Sequence, residues 1–594
     1  MHNPTCPVRV RAALAGVAVA AIATAAESAD SRRDADLILF NGKVWTVDAR
    51  QPVAQAVAVR GTQIARVGTD AEVLALRGAA TRTVDLRGQL VLPGFNDAHT
   101  HFENAVDWFF QVLLMDVADQ AELLRRLRET VARVPPGRWI TGGDWSAFAF
   151  WAAQKKGETG FASFKPDLAT VDVIAPDHPV LFRRFDHTYF TNTRALRIAG
   201  VLENTPDPRG GKYERDPATG KMTGSLIGTA GEQMEKLLPP PALAQKLIGA
   251  RGVIAALNRA GLTSIHDMTR VDEISQAQSF STFVERSYTN LAIYRELKAR
   301  GELTLRVHTF MALAVWPDLA AHGIRPGGGD EFIHHGNIKD FVDGTLMFAP
   351  LANAGSFAGN FTFRFLDEAT TQRQMDGADR AGFDLGIHVI GDRGLNVLLN
   401  RYEKTIAANG PRDRRFRIIH VWFATPDDLA RAGRMGMIAD VTPRQLLGED
   451  TAALERNLGP ERAKTAFAWR TMIERGVRVN LVSDFPGLFN KTDVSPFEPL
   501  KNIYAAVTRR DPSGVPEQGW HPEQCLTVAE AIQAYTLNPA YASHEEERKG
   551  SITAGKLADL VVLSRDILTA RPEEILATEV VRTIFGGQIV FERE

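Results

Sequence analysis

Two histidines one residue apart close the segment Leu92-Pro-Gly-Phe-Asn-Asp-Ala-His-Thr-His101, directly after an apolar run. On extended chain alternate side chains share a face, so His99 and His101 can aim at one point. Imidazole nitrogens ligate zinc and related divalent cations, and Asp97 stands where a carboxylate could orient one of the rings. Taken alone, the pair could be two solvated loop histidines. His388 and His420 change that, because each ends a β-rich run, Leu385-Gly-Ile-His and Arg417-Ile-Ile-His. A single histidine there is more often structural, whereas several at successive strand ends point to one metal site. Asp484, ending Leu481-Val-Ser-Asp, could both ligate a cation and accept a proton from an attacking water, although Ser and Asp also cap helices. Lys339 is the odd member: an ammonium would repel a cation, while a carbamate formed from its amine and carbon dioxide would be an anion able to bridge two. Without that context it reads as a snorkelling surface lysine. His266 and Trp422, beside the same strand ends, are candidates to support the ligands or wall the substrate.

These residues need a scaffold that brings distant strand ends together. Eight short apolar runs alternate with helical patterns: Leu90–Leu92, Thr263–His266, Leu305–His308, Gly336–Lys339, Leu385–His388, Arg417–His420, Met437–Ala439 and Val479–Val482. That alternation predicts an α/β chain with a parallel (β/α)8, TIM-like barrel over 91–547, whose C-terminal strand ends carry the site. A large insertion after the first barrel strand, about 104–246, is placed to wall the substrate, and Phe148, Phe150, Trp151 and Trp422 hint at an apolar or aromatic group there. Both chain ends are rich in short β runs punctuated by Asn41-Gly42 and Gly586-Gly587. They predict one small β-sandwich built from 36–90 and 548–594, since either half alone would leave edges exposed.

The 594 residues, with 44% hydrophobic and 24% charged side chains, are those of a large globular protein rather than a disordered or fibrous one. A net charge of −2 and the lack of a Lys/Arg run exclude nucleic acid as an expected partner. Arg9 and Arg11 precede a short apolar run ending in small residues, which predicts a secretory signal over 1–25, a linker over 26–35 and a periplasmic or secreted protein with no stable membrane association after cleavage. Cys6 would leave with the signal, so Cys525 has no intrachain partner for a disulfide. A small molecule is the expected partner, and oligomeric state, homo-oligomer included, is left open.

The assembled motifs resemble the amidohydrolase superfamily, most closely the amidohydrolase-3 branch with its N-substituted formamide deformylases and D-aminoacylase relatives. The resemblance rests on Leu92–His101, Pro179–Arg184, Gly261–Asp267, Ile338-Lys339 and His388–Arg393, and on the ending Leu526–Ile532, Thr536–Ala542 and Lys549–Leu560. It implies that His99, His101, Lys339, His388, His420 and Asp484 hold one or two divalent cations, zinc foremost. Lys339 then matches a lysine carboxylated in binuclear relatives, and Asp484 the catalytic carboxylate. The implied activity is hydrolysis of a non-peptide C–N bond, amide-like, N-acyl or N-formyl. Lactone, carbamate or cyclic-amidine hydrolysis and a catalytically silent ligand-binding barrel are the alternatives. One departure stands out: the branch often reads His-Ala-Gln where this chain has His420-Val-Trp422.

Overall fold

The computed structural model describes residues 34–594 except 109–110, 148, 151–152, 154–162, 185–186, 240–241, 269–288, 344–367, 449–450 and 487–496. The expected signal and most of the linker, with Phe148 and Trp151, therefore lie outside the described residues.

Eight strands lie side by side in chain order: β1 (Phe95–Thr100), β2 (Leu262–Met268), β3 (Arg306–Ala312), β4 (Ile333–Phe341), β5 (Asp384–Val389), β6 (Arg417–His420), β7 (Ile438–Val441) and β8 (Arg478–Leu481). Every neighbouring pair is parallel. Past β8 the chain returns to β1, where the Asp484 N–H donates to the His99 carbonyl at 3.0 Å and Thr100 bridges Phe485. The sheet thus curls into a near-closed barrel. Its strands are buried on both faces, which is why they read as apolar runs rather than as alternating ones.

One strand differs from expectation. Leu90–Pro93 does not open the barrel; it lies in a six-stranded sheet, parallel to Lys43–Trp45 and antiparallel to Leu560–Leu563, with Val561 opposite Leu92. Gly94 separates it from β1. A Cβ there would sit 2.2 Å from the Thr263 hydroxyl, so the chain passes from one sheet to the other through a gap that only glycine fits. Both runs are fully buried, so hydrophobicity alone could not tell sandwich from barrel.

The β-sandwich does draw on both chain ends. Leu37–Phe40, Ala56–Arg60, Gln63–Gly68 and Arg82–Asp85 form one sheet, and the C-terminal strands Leu560–Leu563, Val580–Phe585 and Gln588–Glu592 extend the other. Leu39, Val57, Val59, Val91, Leu560, Val562 and Ile584 fill the space between. The insertion carries a separate six-stranded sheet running from Gln111–Leu113 to Met222–Gly228, over its own core of Val112, Leu127, Ile140, Phe182 and Phe190. It is narrower than the sequence suggests, because helices Phe102–Trp108 and Leu243–Arg259 pack with the barrel core through Phe102, Val106, Leu247 and Ile254.

Candidate metal centre

His99 on β1 and His101 just past its end converge, and the turn after β8 brings Asp484 against both: its Oδ1 lies 3.3 Å from each Nε2. β5 and β6 add His388 and His420, whose rings stand 4.6 Å apart, with His420 5.1 Å from His99. Five of the six expected positions therefore share one pocket at the C-terminal strand ends. Holding them there costs backbone strain. His420, Val421 and Asp484 have φ of +77°, +45° and +58°, a left-handed region that non-glycine residues avoid and a β-branched valine avoids most. Each such residue costs roughly 1–3 kcal/mol and persists because its surroundings enforce it. Here the Val421 N–H donates to Val389 O at 2.8 Å and the Phe423 N–H to Ile390 O at 3.0 Å.

Burial holds the His99 and His388 imidazoles well below their ordinary pKa, assisted by the charge of Lys339 on His99 and of His420 on His388. Both rings are thus neutral, with lone pairs to offer. Among the described residues neither His99 Nδ1 nor His388 Nε2 makes a hydrogen bond, although buried polar atoms almost always do. Burial works to raise the Asp484 carboxyl, but contacts with His101 and His99 outweigh it and hold the group well below the usual carboxylate range. Neutral imidazoles beside an ionised carboxylate are the donor set a divalent cation of the zinc type takes. Lys339, on β4, is buried, with its amine 5.0 Å from the Phe341 ring centre. It is close enough to the cluster for its charge to act on both His99 and His388.

Asp97, His266 and Trp422, the candidates to support the ligands or wall the substrate, are all buried. The Asp97 carboxylate does not hold an imidazole. It accepts the backbone N–H of His99 and of Ser483, each at 3.1 Å, and so ties β1 to the end of β8. Burial pushes its carboxyl up to about 7, against those hydrogen bonds. His266 is buried, its Nδ1 2.8 Å from Arg417, and Arg417 donates in turn to the Ala98 carbonyl at 3.2 Å. Trp422 is buried, its indole N–H donating to Gln445 Oε1 at 3.0 Å, while Gln445 Nε2 donates to Asp484 Oδ2 at 3.0 Å. Gln445 was missed in the sequence. It sits just past β7, in helix Pro443–Gly448, on the rim where barrel sites form.

A second group, His308, His334 and Glu545, also converges among the described residues. Its members are paired with one another and with neighbours: His308 bonds Asn337 at 2.5 Å and His334 at 2.9 Å, and Lys549 forms an ion pair with Glu545 at 2.8 Å. With that ammonium in place the group is a polar piece of barrel core.

The sequence profile of the amidohydrolase family matches residues 82–591. The chain is 30% identical to the LONG AFTER FAR-RED 3 protein of Arabidopsis thaliana, covering 94% of this chain and 92% of that one. It is 28% identical to the putative amidohydrolase YtcJ of Bacillus subtilis (94% and 99% covered) and 27% identical to the N-substituted formamide deformylase of Arthrobacter pascens (94% and 98%). In fold it is similar to an uncharacterized metal-dependent hydrolase from Pyrococcus furiosus, with a TM-score of 0.64 at 21% identity over 90% of this chain and all of that one. With a match over most of its length and full-length relatives on the amidohydrolase-3 branch, this chain belongs to the amidohydrolase family.

Proposed function

We propose that this protein hydrolyses a non-peptide C–N bond in a small N-acyl or N-formyl compound, using one or two divalent cations, zinc foremost, held by His99, His101, His388, His420 and Asp484. The observation that carries the reading is the meeting of the His99 and His101 imidazoles on a single oxygen of Asp484, with the β5 and β6 histidines beside them. A cation bound there supplies Lewis-acid polarisation and lowers the pKa of water from 15.7 toward about 7. The protein's part is to orient and to move a proton. Asp484 begins each cycle ionised, accepts the proton of the attacking water, and returns it to the nitrogen, which would otherwise leave as a poor anion. Lys339, carboxylated, would replace a repulsive ammonium with an anion facing the cations. A second cation would then depend on bicarbonate.

The likeness to a formamide deformylase over nearly the whole chain favours N-formyl substrates. The basic and apolar N-terminus supports an exported, periplasmic or secreted protein acting on them. The test is a parallel screen of N-formyl and N-acyl amides against lactones and carbamates with zinc-loaded protein. Turnover of the amides above the esters supports the reading, and turnover of lactones alone contradicts it.

A further inference from the structure

We propose that Trp422 and Gln445 form a positioning pair that fixes the Asp484 carboxylate, turning one of its oxygens toward His99 and His101 and keeping the other away. This deepens the function proposed above and rests on its metal site. The observation is a two-link chain, Trp422 Nε1 to Gln445 Oε1 at 3.0 Å and Gln445 Nε2 to Asp484 Oδ2 at 3.0 Å. The chemistry of the indole end leaves the middle no choice. An indole can only donate, so the Gln445 carbonyl oxygen must face it, and the amide nitrogen, which only donates, is left to face Asp484 Oδ2. A glutamine amide both accepts and donates, and the indole fixes which way round it lies. A glutamate there would set two carboxylates against each other.

The indole itself is held. Trp422 is buried, and its ring tilts against Phe467 at 5.3 Å between centres. It follows the strained His420-Val421 pair, so the turn that aims the His420 imidazole also aims the indole. With Oδ2 taken by the amide, Oδ1, 3.3 Å from both His99 and His101, is the oxygen presented to a cation. Asp484 would then meet the cation through one oxygen in a single orientation. Trp422 is a positioning residue acting two bonds removed from the metal site, rather than a group that touches substrate. This gives the indole at His420-Val-Trp422 a purpose where branch relatives often carry a glutamine.

The test is zinc affinity by chelator competition on the full chain, for wild type, Trp422→Phe, Gln445→Leu and the double variant, with kcat measured alongside. Partners that orient a metal ligand are worth about 10–100-fold in affinity or activity. Each single variant should therefore weaken zinc about tenfold and lower kcat more than it raises KM. Because the two residues act in series, the double variant should be no worse than Gln445→Leu alone. Phenylalanine preserves the packing on Phe467, so Trp422→Phe decides the matter should Gln445→Leu fail to fold. Wild-type zinc affinity in both single variants, or losses that multiply in the double, overturns the proposal alone. A wild type that takes up no zinc overturns the metal site and this proposal with it.

Discussion

The function proposed gives Asp484 two duties, ligand and proton carrier, and one substitution separates them. Asp484→Asn keeps an oxygen for the cation and four imidazoles around it but cannot take up a proton. The single amide oxygen cannot serve both Gln445 and the cation, so zinc should bind about tenfold more weakly; with zinc in excess its content should still match wild type while kcat falls about 10²–10⁴-fold, the usual worth of a positioned general base. Metal analysis and turnover on the same preparation check this, and an active Asn variant would remove Asp484 from proton transfer. At this scale the sequence was legible where residue type and strand-end position coincide, as for His99, His101, His388 and His420. It was silent where the partner is a backbone group or a bridging amide. Asp97 is close to the histidines in sequence, yet it serves two N–H groups, one of them Ser483 across the barrel seam. Nothing in Thr442-Pro-Arg-Gln445 marks an amide that links an indole to a carboxylate.

The strands were mostly readable because burial on both faces makes them short apolar runs, and seven of the eight barrel strands coincide with such runs. The exception, Leu90–Pro93 in place of Phe95–Thr100, arises because the two strands are consecutive, equally buried and divided only by Gly94. β4 carries an acid sensitivity that follows from its packing. His335 is buried with its Nδ1 2.7 Å from the Thr309 hydroxyl, and burial lowers its pKa to about 4. The folded chain keeps this ring neutral while the unfolded chain protonates near 6.5, so its stabilisation is complete above pH 6.5 and is lost as the pH falls toward 4. The loss is on the order of 3 kcal/mol. Melting temperatures followed from pH 7 to 4.5 should fall more steeply for wild type than for His335→Gln. Parallel curves would show that this ring contributes nothing to acid lability.

The whole molecule is fastened where its last strands meet the base of the barrel. Asp559, from the ending Gly-Lys-Leu-Ala-Asp559, binds Arg306 of β3 through two oxygens, at 2.5 and 2.9 Å, and both side chains are buried. The same residue accepts the Gly586 N–H on its side chain and the Gly94 N–H on its carbonyl. A motif legible only as a family resemblance thus has a physical task, joining barrel, first strand and sandwich. Asp559→Ala strands a buried guanidinium and should cost about 3–5 kcal/mol in chemical denaturation; a loss below about 1 kcal/mol would show that the joint is not held by this pair. The sandwich closes the chain's two ends together, the barrel turns strand ends toward one another, and the consequence of both is a cluster of imidazoles with lone pairs to fill. Zinc stoichiometry after supplementation and exhaustive dialysis, measured for wild type beside His99→Ala/His388→Ala with folding checked by circular dichroism, tests this most directly. Wild type should retain at least one equivalent and the folded double variant should lose it. A wild type without zinc, or a variant that keeps its full complement, would contradict the account.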